Sequence, residues 1–194
     1  ILPFAGSYVI GGKFHHKNKF LATGTWDQCA DFIEAKISKD TNVICLREND
    51  VFNLECGYAD RSYVPIDENH MKNYIQNELS KIKYHYELIE YPDSKILLND
   101  LKIASNKMLE RLKKNKFEFN TSVSIIIDND EIEIYSAIDK KCHIICELDT
   151  RLLRLILDRV SHWDNATIGC HIDFNRIPNI FEVDVPVGLS FLHL

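Results

Sequence analysis

At 194 residues, with 45% hydrophobic side chains that include ten Phe and eight Tyr, the chain can bury one large core or two small ones, which excludes a disordered polypeptide. Its 29 acidic residues outnumber its 23 Lys and Arg, and the net charge of −6 argues against a nucleic-acid partner, because neutralising phosphates needs a clustered excess of cations. The sequence has no basic segment followed by an apolar leader, and no apolar run near the roughly 20 residues of a membrane span; a cytoplasmic setting away from any membrane is expected.

The chain opens on Ile1-Leu-Pro-Phe-Ala-Gly6 without a methionine. The apolar run suits a buried strand, and the expectation is that the sequence is the C-terminal part of a longer polypeptide. Ser7 to Thr23 reads as a loop or short strand holding Gly11-Gly12 and the pair His15-His16. Thr25-Trp-Asp-Gln28 has the pattern of a capping box, followed by Cys29, Phe32, Ile33 and Ile37 at helical spacing. Asn42 to Leu46 reads as a short buried strand, and Val51 to Leu54 as a second apolar patch. A domain boundary is expected in the polar region near Glu48 to Asn69, dividing the chain into 1–50 and 51–194.

From Asp67 the spacing of Met71, Tyr74, Ile75, Leu79, Ile82 and Tyr86 predicts a helix, with Pro92 as its stop. A second helix is predicted over Asn99 to Lys116, with Leu101, Ala104, Met108, Leu109 and Leu112 on one side; a short linker suggests an antiparallel pair. The basic run Arg111 to Lys116 closes this helix, where cations complement the helix dipole. Ser122 to Ile127 and Glu131 to Tyr135 flank Asp128-Asn-Asp130, a trio that tolerates positive φ, and read as a hairpin. His143 to Leu148 is a third strand, Asp149-Thr150 caps a helix running to Val160, and Thr167 to Phe174 is a fourth strand. That order predicts an α+β fold, a mostly antiparallel sheet covered by helices.

The six cysteines lie mainly in apolar runs and form no Cys-x-x-Cys pair, so a zinc ribbon or thioredoxin-like motif is unsupported. Cys142, His143 and Cys146 with Cys170 and His171 offer metal-ligand types, but strand alternation sends His143 to the face opposite its flanking cysteines, which favours core thiols. Gly11-Gly12 and Gly188 match neither a P-loop nor a dinucleotide fingerprint. His15 and His16 are candidate metal ligands, although a site needs further donors from elsewhere. The densest group of binding side chains is Ser161 to Pro178, with His162, Trp163, Asn165, His171, Asp173 and Arg176. Arg176 has the fork geometry to grip a phosphate or carboxylate; alternatively it pairs with Asp173 or Asp164 and only holds the turn. No nucleophile and base stand at the spacing of a known triad.

Two segments carry a resemblance. Pro3-Phe-Ala-Gly-Ser-Tyr-Val9 followed by the capped helix from Thr25, and Trp163-Asp-Asn-Ala-Thr-Ile-Gly169 followed by Phe174-Asn-Arg176 and Pro178-Asn-Ile-Phe181, are similar in order to the metallo-β-lactamase-fold group that includes CMP-N-acetylneuraminate hydroxylase and UDP-N-acetylmuramate hydroxylase-like proteins. The resemblance covers both ends of the chain and leaves about Phe52 to Asn120 placed by position. It implies that 1–50 is the last strand and helix of a metallo-β-lactamase-like αβ/βα domain, and that 51–194 is an α+β C-terminal extension. It further implies zinc or iron, held mainly by residues outside this chain because the His-x-His-x-Asp-His motif is absent here, with His15 and His16 nearest the position of a late ligand. No Cys-x-His Rieske motif is present either.

The implied function is that of the C-terminal part of a metal-dependent hydrolase or hydroxylase acting on a sugar nucleotide or surface-polysaccharide precursor, with Arg176, His162, Asn165 and His171 facing substrate. As an isolated fragment it is expected to be inactive. Its implied partners are an N-terminal metallo-β-lactamase-like region, the sugar nucleotide and a second copy of the chain. The competing expectation is a non-catalytic module for dimerisation or for capping a pocket.

Overall fold

A computed structural model describes residues 8–21, 24–37, 41–139 and 141–194. Ile1 to Gly6, the strand expected at the start of the chain, lies outside them. The chain divides into two compact units, Ile1–Ile82 and Lys83–Leu194. The division thus falls downstream of the polar region singled out in the sequence, and 51–82 belongs with the N-terminal unit. Among the described residues no helix is long and apolar enough to cross a membrane.

In the first unit, Gly12–Phe20 is a 3-10 helix rather than a loop or strand. Asn18 pins it: its amide accepts from Ile10 N at 2.7 Å and donates to the carbonyls of Ile10 (2.8 Å) and His15 (2.7 Å). Helix α1, Trp26–Glu34, starts from the expected capping box. Thr25 Oγ1 accepts from Gln28 N, and Gln28 Oε1 accepts from Thr25 N at 3.0 Å, satisfying two orphan donors of the first turn. None of its side chains is buried, and Phe32 is 67% exposed, so the apolar spacing read from Cys29 and Phe32 does not mark a buried stripe.

The strand expected at Asn42 to Leu46 does not form; that segment has no regular structure, and among the described residues no strand pairs with it. An apolar run without a partner leaves its ladder groups unmade. Instead β1 (Phe52–Asn53) and β2 (Tyr58–Ala59) make a small antiparallel hairpin. Helix α2, Glu68–Asn77, is capped by the Asp67 carboxylate and stops well short of the predicted Tyr86. Its last turn passes into a 3-10 turn at Leu79–Lys81, where Ser80 Oγ donates to the Gln76 carbonyl at 2.6 Å and competes for a helical acceptor.

The second unit holds the large core. Helix α3, Ser94–Lys114, begins earlier than predicted because Asp93 accepts from both Lys95 N and Ile96 N. It buries Leu97, Leu101, Ala104, Met108 and Leu112, while Leu109 is exposed. Strands β3 (Thr121–Ile127) and β4 (Asp130–Tyr135) form the expected hairpin. Asp128 and Asn129 sit at φ 51° and 71°, the two positive φ values of a two-residue hairpin turn whose twist matches that of the strands. Strand β5 is Cys142–Leu148, and helix α4, Thr150–Leu157, starts from the Asp149 cap.

Where Thr167 onwards was expected to be strand, Trp163–Ile168 forms a short helix, α5; strand β6 is Ile172–Ile177 and helix α6 is Asp184–Leu189. The fold is α+β, with sheet order β4-β3-β5-β6. Its outer pairs are antiparallel, but β3 and β5 run parallel, which makes the sheet mixed. One face, Val123, Ile125, Ile144, Cys146 and Ile172, enters the core with α3 and α4. Strand alternation gives the other face Ser122, Ser124, His143 and Glu147, and there the Ser124 hydroxyl lies 2.8 Å from His143 Nε2.

Candidate binding sites

Arg176 stands near the end of β6, opposite Ile144 of β5. This register turns its stem toward the core face and puts Asp173, three residues earlier, on the other. The salt bridge weighed for these two residues therefore does not form, and among the described residues Arg176 makes no ion pair, with Asp164 or any other acid. Its Nε is buried, with no hydrogen-bond partner among the described residues. Its guanidinium carbon lies 5.2 Å from the Phe174 ring and 5.5 Å from the Phe181 ring, within cation–π range. Beneath it, Cys146 is fully buried, and burial pushes its thiol up to about 12. It is a core thiol, as the apolar run around it suggested.

His171 is placed by the end of α5. There Cys170 takes the left-handed conformation at φ 58°, and His171 N donates to the Ala166 carbonyl at 2.8 Å, a Schellman ending that turns the chain into β6. Tyr86 Oη and His171 Nδ1 are hydrogen-bonded at 3.1 Å, and the imidazole edge meets the Tyr84 ring at 4.3 Å. Burial raises the Tyr86 phenol well above its ordinary range, so the hydroxyl stays neutral. Asn165, Ser161 and the two tyrosines share with His171 a pocket of about 200 Å³.

The four predicted substrate-facing residues do not converge. His171 and Asn165 line one pocket. Arg176, five residues along an extended strand at about 3.3 Å per residue, is about 16 Å from His171. His162 precedes α5 with an extended backbone and borders a slot of about 10 Å³ beside Trp163 and His193. Trp163 is 2% exposed and plugs the core, with no partner for its Nε1 among the described residues. Tyr84, Tyr86 and Phe181 were not singled out in the sequence as binding residues. The Tyr84-His85-Tyr86 triplet was the available signal, and the helical spacing that ended on Tyr86 masked it.

His15 and His16 lie on the 3-10 helix, their Nδ1 atoms 3.0 and 3.1 Å from the carbonyls of Gly12 and Lys13. Donation through Nδ1 leaves each Nε2 the ligating nitrogen, as in many metal sites. The rings stand 6.2 Å apart, edge to face. Among the described residues, however, no three His, Cys, Asp or Glu side chains are grouped to hold a metal ion. These residues alone do not fit a zinc or iron centre.

The chain matches no protein-family model, no curated protein and no solved structure.

Proposed function

We propose that this chain is the substrate-binding, non-catalytic C-terminal part of a metal-dependent enzyme of the metallo-β-lactamase fold, a hydrolase or hydroxylase, and that it holds the phosphate of a sugar nucleotide through Arg176. The metal belongs to residues outside the chain, and the isolated chain is inactive. The observation that carries the reading is the buried Nε of Arg176, without a partner among the described residues and beside two aromatic rings. A buried donor left unmatched costs about 1–3 kcal/mol, more when charged, and an oxyanion offers the matching acceptor. Phe181, 63% exposed, presents a ring on which a base or sugar face can stack.

Isothermal titration of the chain with UDP-N-acetylglucosamine and CMP-N-acetylneuraminate tests this. Arg176→Ala is expected to weaken whichever ligand binds at least tenfold, and Arg176→Lys, which keeps the charge but loses the fork, nearly as much. Equal affinity in the parent and both variants would sink the reading.

One observation favours the second reading, a dimerisation or pocket-capping module. Ile177, Ile180, Phe181 and Val183, in the segment that follows Arg176, are each more than half exposed, and exposed apolar side chains of this kind mark interfaces. If Arg176→Ala leaves ligand affinity unchanged but splits a dimer in sedimentation, that reading replaces the first.

A further inference from the structure

We propose that the groove at the C-terminal end of α3 is a separate ligand site, for an amphipathic anion: a molecule with an apolar body and one carboxylate, sulfonate or phosphate head. The groove encloses about 660 Å³, inside the roughly 300–1,000 Å³ of small-molecule sites. It shares no residue with the surroundings of Arg176 or His171, so its fate is independent of the function proposed above.

One wall is a single face of the helix and its end: Leu109, Leu112, Lys113 and Lys116, spaced at i, i+3, i+4 and i+7. The opposite wall is aromatic. Phe119 stacks on Tyr135 with ring centroids 3.9 Å apart, and Tyr135 Oη–H donates to the Phe119 carbonyl at 2.9 Å; Phe117 stands beside them. These walls are set before any ligand arrives. Lys116 is held at φ 54°, where the chain leaves α3 through hydrogen bonds from Lys116 N to Lys113 O (3.1 Å) and from Phe117 N to Leu112 O (3.0 Å). The Glu182 carboxylate ties down Asn120 N at 2.7 Å.

Two features give the ligand its chemistry. Ile138 on the rim is 95% exposed, an apolar side chain that gains by being covered. Lys113 and Lys116 make no ion pair among the described residues, and Glu118 is the one acid lining the groove, so the site is cationic on a chain of net charge −6. Arg111, in the same basic run, is committed elsewhere: its Nη1 donates to the carbonyls of Phe191 and His193 at 2.9 and 2.7 Å. An uncharged apolar molecule would leave the lysines unused, and inorganic phosphate would leave the aromatic wall and Ile138 uncovered.

The test titrates the chain with 1-anilinonaphthalene-8-sulfonate and with N-phenyl-1-naphthylamine, which has the same rings and no charge, following fluorescence. Lys113→Glu combined with Lys116→Glu is expected to weaken the sulfonate at least tenfold and to change the uncharged probe less than twofold. Ile138→Asp is expected to weaken both at least fivefold. All three side chains are exposed, and unchanged circular dichroism confirms that the variants fold. Decanoate, and not decanol, is expected to displace the sulfonate. The proposal is overturned if no component of sulfonate binding responds to the charge reversal, or if decanol competes as well as decanoate.

Discussion

Tyr86 and His171, 85 residues apart in sequence, are joined by a hydrogen bond between the tyrosine Oη and the imidazole Nδ1 at 3.1 Å. That bond ties the short 3-10 helix His85–Leu88 to the start of β6, and it fixes the face that His171 presents to its pocket. Gly169 completes the arrangement.

A Cβ at Gly169 would lie 2.6 Å from His171 Cδ2 and 2.7 Å from Nε2. Its φ of −74° suits any residue, so the requirement is space, not backbone freedom. The ring cannot swing aside freely, because Tyr84 and Tyr86 hold its other edges. Gly169→Ala is therefore expected to destabilise the second unit by about 1–3 kcal/mol, the range for overpacking, and to shift the His171 imidazole resonances. Urea denaturation and NMR check it; a variant as stable as the parent with unmoved resonances would refute this account of the pocket.

What could be read from sequence was whatever is local. The Thr25–Gln28 capping box, the Asp149 cap and the Asp128-Asn129 turn each rest on side chains within three residues of the backbone they serve, and each formed as expected. The α+β class followed from the order of such elements. Pairing between distant segments left no such mark: the parallel register of β3 with β5 looks, along the chain, like one more antiparallel neighbour. Helix α5 was obscured because Thr167 and Ile168 favour strand, while its stop is Cys170 at φ 58°, a position where glycine is the usual signal. The candidate site was legible in composition but not in geometry. His171 and Asn165 meet only because α5 folds back, and Asp173, the acid nearest Arg176 in sequence, is turned away from it by the strand.

Asp149 and Arg151 form a largely buried pair, with side chains 9% and 10% exposed. The carboxylate accepts from Arg151 Nε at 2.9 Å and Nη2 at 2.8 Å, and from the Arg151 backbone N at 3.1 Å as the cap of α4. The guanidinium also donates to the Glu87 carbonyl at 3.2 Å and lies over the Tyr91 ring. Asp149→Asn keeps the capping oxygen but strands the buried cation, and breaking such a pair from one side costs about 3–5 kcal/mol. Asp149→Leu with Arg151→Met, which removes both charges, is expected to be the more stable variant despite its lost cap. Urea midpoints decide it, and a single variant that loses under about 1 kcal/mol would place the pair among the weak surface bridges.

His193 makes the stability of the second unit depend on pH. Burial lowers its pKa below the ordinary 6.5, and the nearby cations of Arg111, Arg159 and Lys107 act in the same direction, against the hydrogen bond from Nδ1 to the Leu194 carbonyl. The folded protein therefore resists a proton that the unfolded chain accepts near pH 6.5. Its contribution is complete above that pH and is lost as pH falls from there through the folded pKa. Glutamine in place of His193 can keep the donor to the carbonyl and cannot titrate. Between pH 7.5 and pH 5.5 the urea midpoint of the parent is expected to fall by more than that of His193→Gln. Equal falls would assign the pH dependence to other groups.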